Sequence, residues 1–167
     1  NDDFLFMRSL KLLISLLVLE RGGLSFHCSA ISNRNNESII FSGHSSMGKT
    51  FAAMILSHKL KWKILNDEFN IIMPLGGSYL VYSTPFTSPE KLTYCSNGRS
   101  LIKNIFFLKK NDFNKVKDVG FHKKYFYMVS GTYTFPTSNK LSILFMENVE
   151  KMCRTIQIKE LSLNHRS

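Results

Sequence analysis

A chain of 167 residues is long enough for one hydrophobic core and too short for two ordinary domains. Hydrophobic residues make up 44% and charged residues 20%, a globular composition that excludes a disordered or low-complexity chain. The formal net charge of +10 favours an anionic partner such as a nucleotide, a nucleic acid or an acidic protein surface.

The first element is "FLFMRSLKLLISLLVLE". Its uncharged core, Leu12 to Leu19, is eight residues and cannot span a bilayer, so no transmembrane segment is expected. Arg8 and Lys11 imitate the positive region of a signal peptide, but Glu20-Arg21-Gly22-Gly23 follows where a small-residue cleavage site belongs. Phe6, Leu10, Leu13, Ile14 and Leu17 fall on one helical face. Residues 1–21 are therefore expected to form an amphipathic helix packed on a single domain covering 1–167.

Gly22-Gly23 breaks the helical pattern, and "LSFHCSAI" reads as one strand. "SNRNNE" is a polar turn and "SIIF" a short buried strand. A loop from Gly43 to Thr50 leads into "TFAAMILSHKL", a helix with Phe51, Met54, Ile55 and Leu60 on its apolar stripe. "KWKIL" is a strand ending at Asn66-Asp67-Glu68, and "NIIMPL" and "SYLVYST" form a hairpin turned by Gly76-Gly77.

Pro85, Pro89 and the polar residues to Ser100 make a loop, followed by the strand "LIKNIFFL". Residues 112–133 read as helical, "NKLSILFMENVEKMCR" is a helix, and "TIQIKELSL" alternates as an edge strand would. This order predicts an α/β fold with a mixed sheet and flanking helices.

Cys28, Cys95 and Cys153 are odd in number and far apart, which argues against a disulfide framework or a zinc site. Reduced thiols fit a cytoplasmic protein. The densest basic cluster is Lys109-Lys110, Lys115, Lys117 and Lys123-Lys124, with Phe107, Phe113, Phe121, Tyr125 and Phe126 nearby. No nucleic-acid motif organises it, so a solvated basic face is preferred over a nucleic-acid groove.

Gly43-His44-Ser45-Ser46-Met47-Gly48-Lys49-Thr50 matches G-x-x-x-x-G-K-[ST] at every fixed position, between a strand and a helix as that motif requires. Glycines let such a loop curl until its backbone N–H groups converge on phosphate oxygens. The following helix turns its positive end to the same anion. Lys49 would reach the β- and γ-phosphates, and the Thr50 hydroxyl would ligate Mg²⁺.

Asp67, seventeen residues beyond Thr50 and beside Glu68, can hold Mg²⁺ or accept a hydroxyl proton. Asp-Glu after a strand is equally the signature of a solvated turn. His27, between apolar neighbours, has the pattern of a hydrogen-bonded core histidine.

Read in order, "GGLSFHCSAI", "IIFSGHSSMGKTFAAMIL" and "KWKILNDEFNII" resemble the catalytic domain of bacterial HPr serine kinases and its small relatives. Those relatives include kinase-like proteins of peptide-modification clusters. "YSTPF", "NGRSLIKNIFFLKK" and "IQIKELSL" resemble later segments of the same small relatives, so the likeness spans about Leu17 to Leu163.

The resemblance implies a phosphoenolpyruvate-carboxykinase-like fold using ATP and Mg²⁺. It implies Gly43 to Thr50 as the nucleotide loop, with Arg99 reaching the nucleotide or the acceptor. Asp67 becomes the general base, Glu68 joins Thr50 and Asp67 as a metal candidate, and His27 lies beside the transferring phosphate.

Ser46 stands where the family commonly has Gly, and Glu68 where it has a second Asp. The chain shows no counterpart of the separate N-terminal domain or the phosphorolysis segment of true HPr kinases, which implies an acceptor other than HPr. The expected activity is γ-phosphate transfer to a hydroxyl, Ser of a peptide or protein. The alternatives are a degenerate module that binds nucleotide without transfer, and a basic nucleic-acid protein. An oligomer is compatible with all three.

Overall fold

The computed structural model describes residues 2–87, 95–133 and 138–164, with the side chains of residues 2 and 3 excluded. Pro89 and its neighbours, part of the expected loop before Ser100, lie outside the described residues.

Helix α1 covers Asp2–Glu20 and is followed by Gly22, whose φ of 80° turns the chain into β1 (Leu24–His27). Strands β2 (Ser29–Ser32) and β3 (Glu37–Ser42) follow, joined by a tight polar turn. Asn33 Oδ1 in that turn accepts from the N–H groups of Asn35 and Glu37 at 2.9 Å each.

The glycine-bearing loop connects β3 to α2 (Lys49–Leu60), after which come β4 (Lys63–Asn66), β5 (Phe69–Leu75) and β6 (Ser78–Tyr82). Gly76 and Gly77, at φ 51° and 79°, supply the two-residue turn between β5 and β6, as expected. Strand β7 (Arg99–Asn111), β8 (Lys115–Asp118), helices α3 (Phe121–Gly131) and α4 (Asn139–Thr155), and β9 (Gln157–Asn164) complete the order.

The strands form one mixed sheet in the order β1-β5-β6-β7-β3-β2-β4, with β9 on β7 and β8 on β9. β7 is its spine. Parallel pairing with β3 fills one edge of β7. On the other edge, antiparallel β6 takes its first residues and parallel β9 the rest.

Alternating residues of these strands separate two cores. Ile40, Ile105, Phe107 and Ile158 face α1, α3 and α4 with Met128, Val149 and Met152. Phe41 and Leu108 face α2 with Ala52 and Ala53. The α/β class, mixed sheet and flanking helices are thus as the sequence predicts.

Several local expectations are corrected. The single strand over 24–31 is two: it breaks at Cys28, after which β1 pairs with β5 while β2 lies between β3 and β4. Residues 112–133 begin with β8, not a helix, and β9 is interior because β8 covers its outer edge. All four residues of β8 are exposed, so backbone pairing rather than burial holds that strand.

The apolar stripes of both early helices also point elsewhere. On α1, Ser15, Val18 and Leu19 are buried, whereas Phe6, Leu13 and Leu17 are exposed. On α2 the sheet takes Ala52 and Ala53, leaving Phe51, Met54, Ile55 and Leu60 exposed. On α2 the small side chains of Ala52 and Ala53 let the helix approach the sheet closely.

Candidate functional site

The parallel β3–β7 pair ends at Ser42 opposite Phe107, and the chain leaves the sheet there. Gly43 adopts φ 145° and Gly48 φ 85°, so the loop curls back before α2 begins at Lys49. A Cβ on Gly43 would lie 3.1 Å from the Leu108 carbonyl oxygen, a second reason for glycine there. Ser46 also lies in the left-handed region, at φ 62°, the conformation that Gly would adopt without strain.

Lys49 is largely buried, and its Nζ donates to the carbonyl oxygens of Gly43 at 3.0 Å and His44 at 3.1 Å. The ammonium therefore lies against the first two residues of the loop. The first turn of α2 carries no acidic residue and no side-chain cap, so the positive end of the helix opens on the same space.

Strand β4 brings Asp67 to this loop. Thr50 Oγ1 donates to Asp67 Oδ2 at 2.7 Å, and Ser29 Oγ donates to Asp67 Oδ1. The carboxyl group is buried, and both of its oxygens accept from these hydroxyls. Glu68, its neighbour, faces another way: its Oε1 receives Lys11 Nζ from α1 at 3.1 Å.

The backbone at Glu68 is pinned on both sides. Its N–H donates to Asn66 Oδ1 at 2.8 Å, and its carbonyl accepts from the Cys28 N–H at 3.2 Å. His27, at the end of β1, places Nδ1 3.0 Å from the Tyr133 hydroxyl. Burial first, then the charges of Glu68 and Cys28, push the Tyr133 phenol up to about 12, so it is a neutral partner at ordinary pH.

His27, Ser45, Ser46, Gly48, Lys49, Thr50, Asp67 and Glu68 line one cleft of ≈ 480 Å³. The remaining predicted residues point elsewhere. Gly43 and His44 line a neighbouring cavity of ≈ 340 Å³ with Lys109, Lys123 and Tyr127. Met47 borders that cavity and also an apolar groove of ≈ 790 Å³ floored by Phe51, Ile55, Leu161 and Leu163.

Arg99 is not brought to the loop. It starts β7, beyond the Glu37↔Leu101 pair, while the loop leaves at the Ser42↔Phe107 end. At about 3.3 Å per residue the eight-residue separation along β7 is roughly 26 Å. Arg99 instead lines a separate cavity with Arg34, Lys61 and Lys63.

Three residues that sequence reasoning did not assign, Ser29, Lys11 and Tyr133, contact the cleft residues Asp67, Glu68 and His27. Ser29 could have been read from the His-x-Ser spacing, which places it one strand position past the break. Lys11 and Tyr133 left no local signal, because each arrives from a distant element.

The residues fit a hard divalent cation in one respect. Thr50 Oγ1 and Asp67 Oδ2 are adjacent oxygens at the cleft wall, the donor type Mg²⁺ takes alongside phosphate oxygens. Among the described residues no cluster of three His, Cys, Asp or Glu could hold a metal by itself, so nucleotide oxygens would have to complete any shell.

No protein-family profile matches the chain, and no curated protein matches it in sequence. Among solved structures it is similar to the Hpr(Ser) kinase/phosphatase from Coxiella burnetii, at 10% sequence identity and a TM-score of 0.41. That match covers 75% of this chain and 93% of the other. Among the described residues, no helix is long and apolar enough to cross a membrane.

Proposed function

We propose that the chain is a phosphoenolpyruvate-carboxykinase-like nucleotide-binding domain that transfers the γ-phosphate of ATP to a hydroxyl, Ser of a peptide or protein. The observation that carries this reading is the Thr50–Asp67 contact, which joins the loop and the strand-end carboxylate in one cleft with Lys49.

In this reading the N–H groups from Ser45 to Thr50 and the Lys49 ammonium bind the β- and γ-phosphates. Mg²⁺ held by Thr50 and Asp67 would supply charge neutralisation at the phosphate oxygens. Asp67 accepts the acceptor's hydroxyl proton as the new O–P bond forms and the β–γ bridging P–O bond breaks, releasing ADP. His27, oriented by Tyr133, lines the acceptor side.

The test is calorimetric titration with Mg-ATP, followed by mass spectrometry of Ser-containing peptides incubated with the chain and ATP. A mass gain of one phosphate on Ser supports transfer. No binding of Mg-ATP sinks the proposal.

A second reading, a module that binds nucleotide without transfer, is favoured by the Lys11–Glu68 pair and by the left-handed Ser46. The first occupies the carboxylate beside Asp67, and the second puts a side chain where glycine would curl the loop without strain. Tight Mg-ATP binding with no phosphorylated product would select it.

A further inference from the structure

Resting on the kinase reading above, we propose that Lys11 is a positioning residue that holds the Glu68 carboxylate away from the metal, leaving Thr50 and Asp67 as the protein's metal-side oxygens. Glu68 then forms part of the acceptor-side wall.

Three observations converge on Lys11. Its Nζ bonds Glu68 Oε1 at 3.1 Å, with the lysine side chain 20% exposed and the glutamate 30%. The same ammonium lies 5.6 Å from the ring centre of Phe69, and 5.9 Å from those of Phe86 and Tyr133. These faces attract a cation and restrict water, so the pair is stronger than a solvated surface bridge.

The helix carrying Lys11 is itself anchored. Ser15, Val18 and Leu19 are buried one to two turns further on, and the buried Asn148 donates to the Leu19 carbonyl at 2.9 Å. Lys11 is thus delivered by a fixed element, and Glu68 is pinned at both its N–H and its carbonyl.

The electrostatic consequence concerns the metal. Asp67 and Glu68 are adjacent in sequence, and both oxygens of Asp67 turn to hydroxyl donors while Glu68 turns to Lys11. A divalent ion drawing Glu68 into its shell would have to break an ion pair and strand an ammonium among aromatic rings. That cost withholds the second carboxylate.

The experiment measures Mn²⁺ affinity in the presence of ATP by electron paramagnetic resonance. It compares the full wild-type chain with Glu68→Gln, Lys11→Met, Lys11→Arg and Lys11→Met/Glu68→Gln, with Thr50→Ala as the control that weakens binding. Glu68→Gln and Lys11→Arg should stay within about twofold of wild type. Lys11→Met should tighten Mn²⁺ by about fivefold or more, because the released carboxylate can join the shell, and the double variant should return to wild type.

Weakening by Glu68→Gln as large as that of Thr50→Ala overturns the inference, since it makes Glu68 a ligand in the presence of Lys11. Unchanged affinity in a folded Lys11→Met also overturns it. If Lys11→Met does not fold, Glu68→Gln alone decides. Failure of the wild-type chain to bind Mn²⁺ and ATP rejects the kinase reading itself and this inference with it, a result distinct from either of the others.

Discussion

The hydroxyl of Thr50 donates to the carboxylate of Asp67 at 2.7 Å, across seventeen residues of sequence and from a helix start to a strand end. The side chain on which a phosphate loop closes is therefore tied to the carboxylate that could receive a proton. Lys49, beside Thr50, lies on the loop's own carbonyls.

Under the proposed kinase function, that arrangement separates binding from transfer. Lys49→Ala should weaken Mg-ATP by roughly 2 kcal/mol, about thirtyfold, since a charged donor to phosphate is lost. Asp67→Asn should weaken Mg-ATP less than Lys49→Ala does, since a neutral amide oxygen still faces the metal, while lowering phosphate transfer by about 10²–10⁴. Full transfer by Asp67→Asn would remove Asp67 from the base role.

Ser46 offers a gain rather than a loss. Its φ of 62° costs a non-glycine residue about 1–2 kcal/mol, partly offset in Ser46→Gly by roughly 0.5–1 kcal/mol of extra unfolded-chain entropy. Ser46→Gly should therefore stabilise the fold by about 0.5–1 kcal/mol, a rise in melting temperature of about 1–4 °C. A fall in melting temperature would show that the serine side chain holds the loop by another contact.

Gly131, the last residue of α3, has no room for a side chain. A Cβ there would lie 2.5 Å from the ring of Phe26 and 3.0 Å from Ser42 Oγ, and Phe26 is fully buried. Gly131→Ala should destabilise by about 1–3 kcal/mol in urea unfolding, with the slope unchanged.

The acid limb of stability should depend on Glu160. Burial alone would raise its pKa, but hydrogen bonds from Lys123 and Tyr127, and the charges of Lys109 and Lys123, hold it at about 2, against an ordinary 4.5. Lys123 Nζ is at 2.6 Å and the Tyr127 hydroxyl at 2.5 Å. A folded-state pKa below the unfolded one means that the unfolded chain binds the extra proton first. The contribution is full above about 4.5 and lost as pH falls towards about 2. Glu160→Gln should flatten the pH dependence of the melting temperature in that window and lower stability at neutral pH.

Where sequence reading succeeded, the cause was local. Gly76-Gly77 announces a hairpin because two positive-φ residues suit that turn, and the buried run before Gly43 announces a central strand. Where it failed, an apolar period was present on more than one face. α1 is apolar nearly all round, so only contact with β1 and α4 chose Ser15, Val18 and Leu19 over Phe6, Leu13 and Leu17. The four-residue β8 has one apolar residue, Val116, and no periodicity to read.

The candidate site divides along the same line. Gly43 to Thr50 was legible as a strand-to-helix loop because its pattern is made of consecutive residues. Asp67 was legible as a strand-end carboxylate, but its contacts with Thr50 and Ser29 exist only because β4 lies beside β2 and next to α2. Arg99 was expected at the site only through the resemblance, and the parallel register of β3 and β7 carries it to the far end of the sheet.

By itself the sequence determined a phosphate-loop pattern, an α/β order and a strongly basic chain, since each depends on neighbours along the backbone or on composition. Only the tertiary structure decided that Lys11 meets Glu68, that Tyr133 meets His27 and that Ser29 meets Asp67. Those pairs are 57, 106 and 38 residues apart, and no short-range propensity encodes such separations. Sheet register and helix docking supply them, because the chain must bury both faces of one sheet at once.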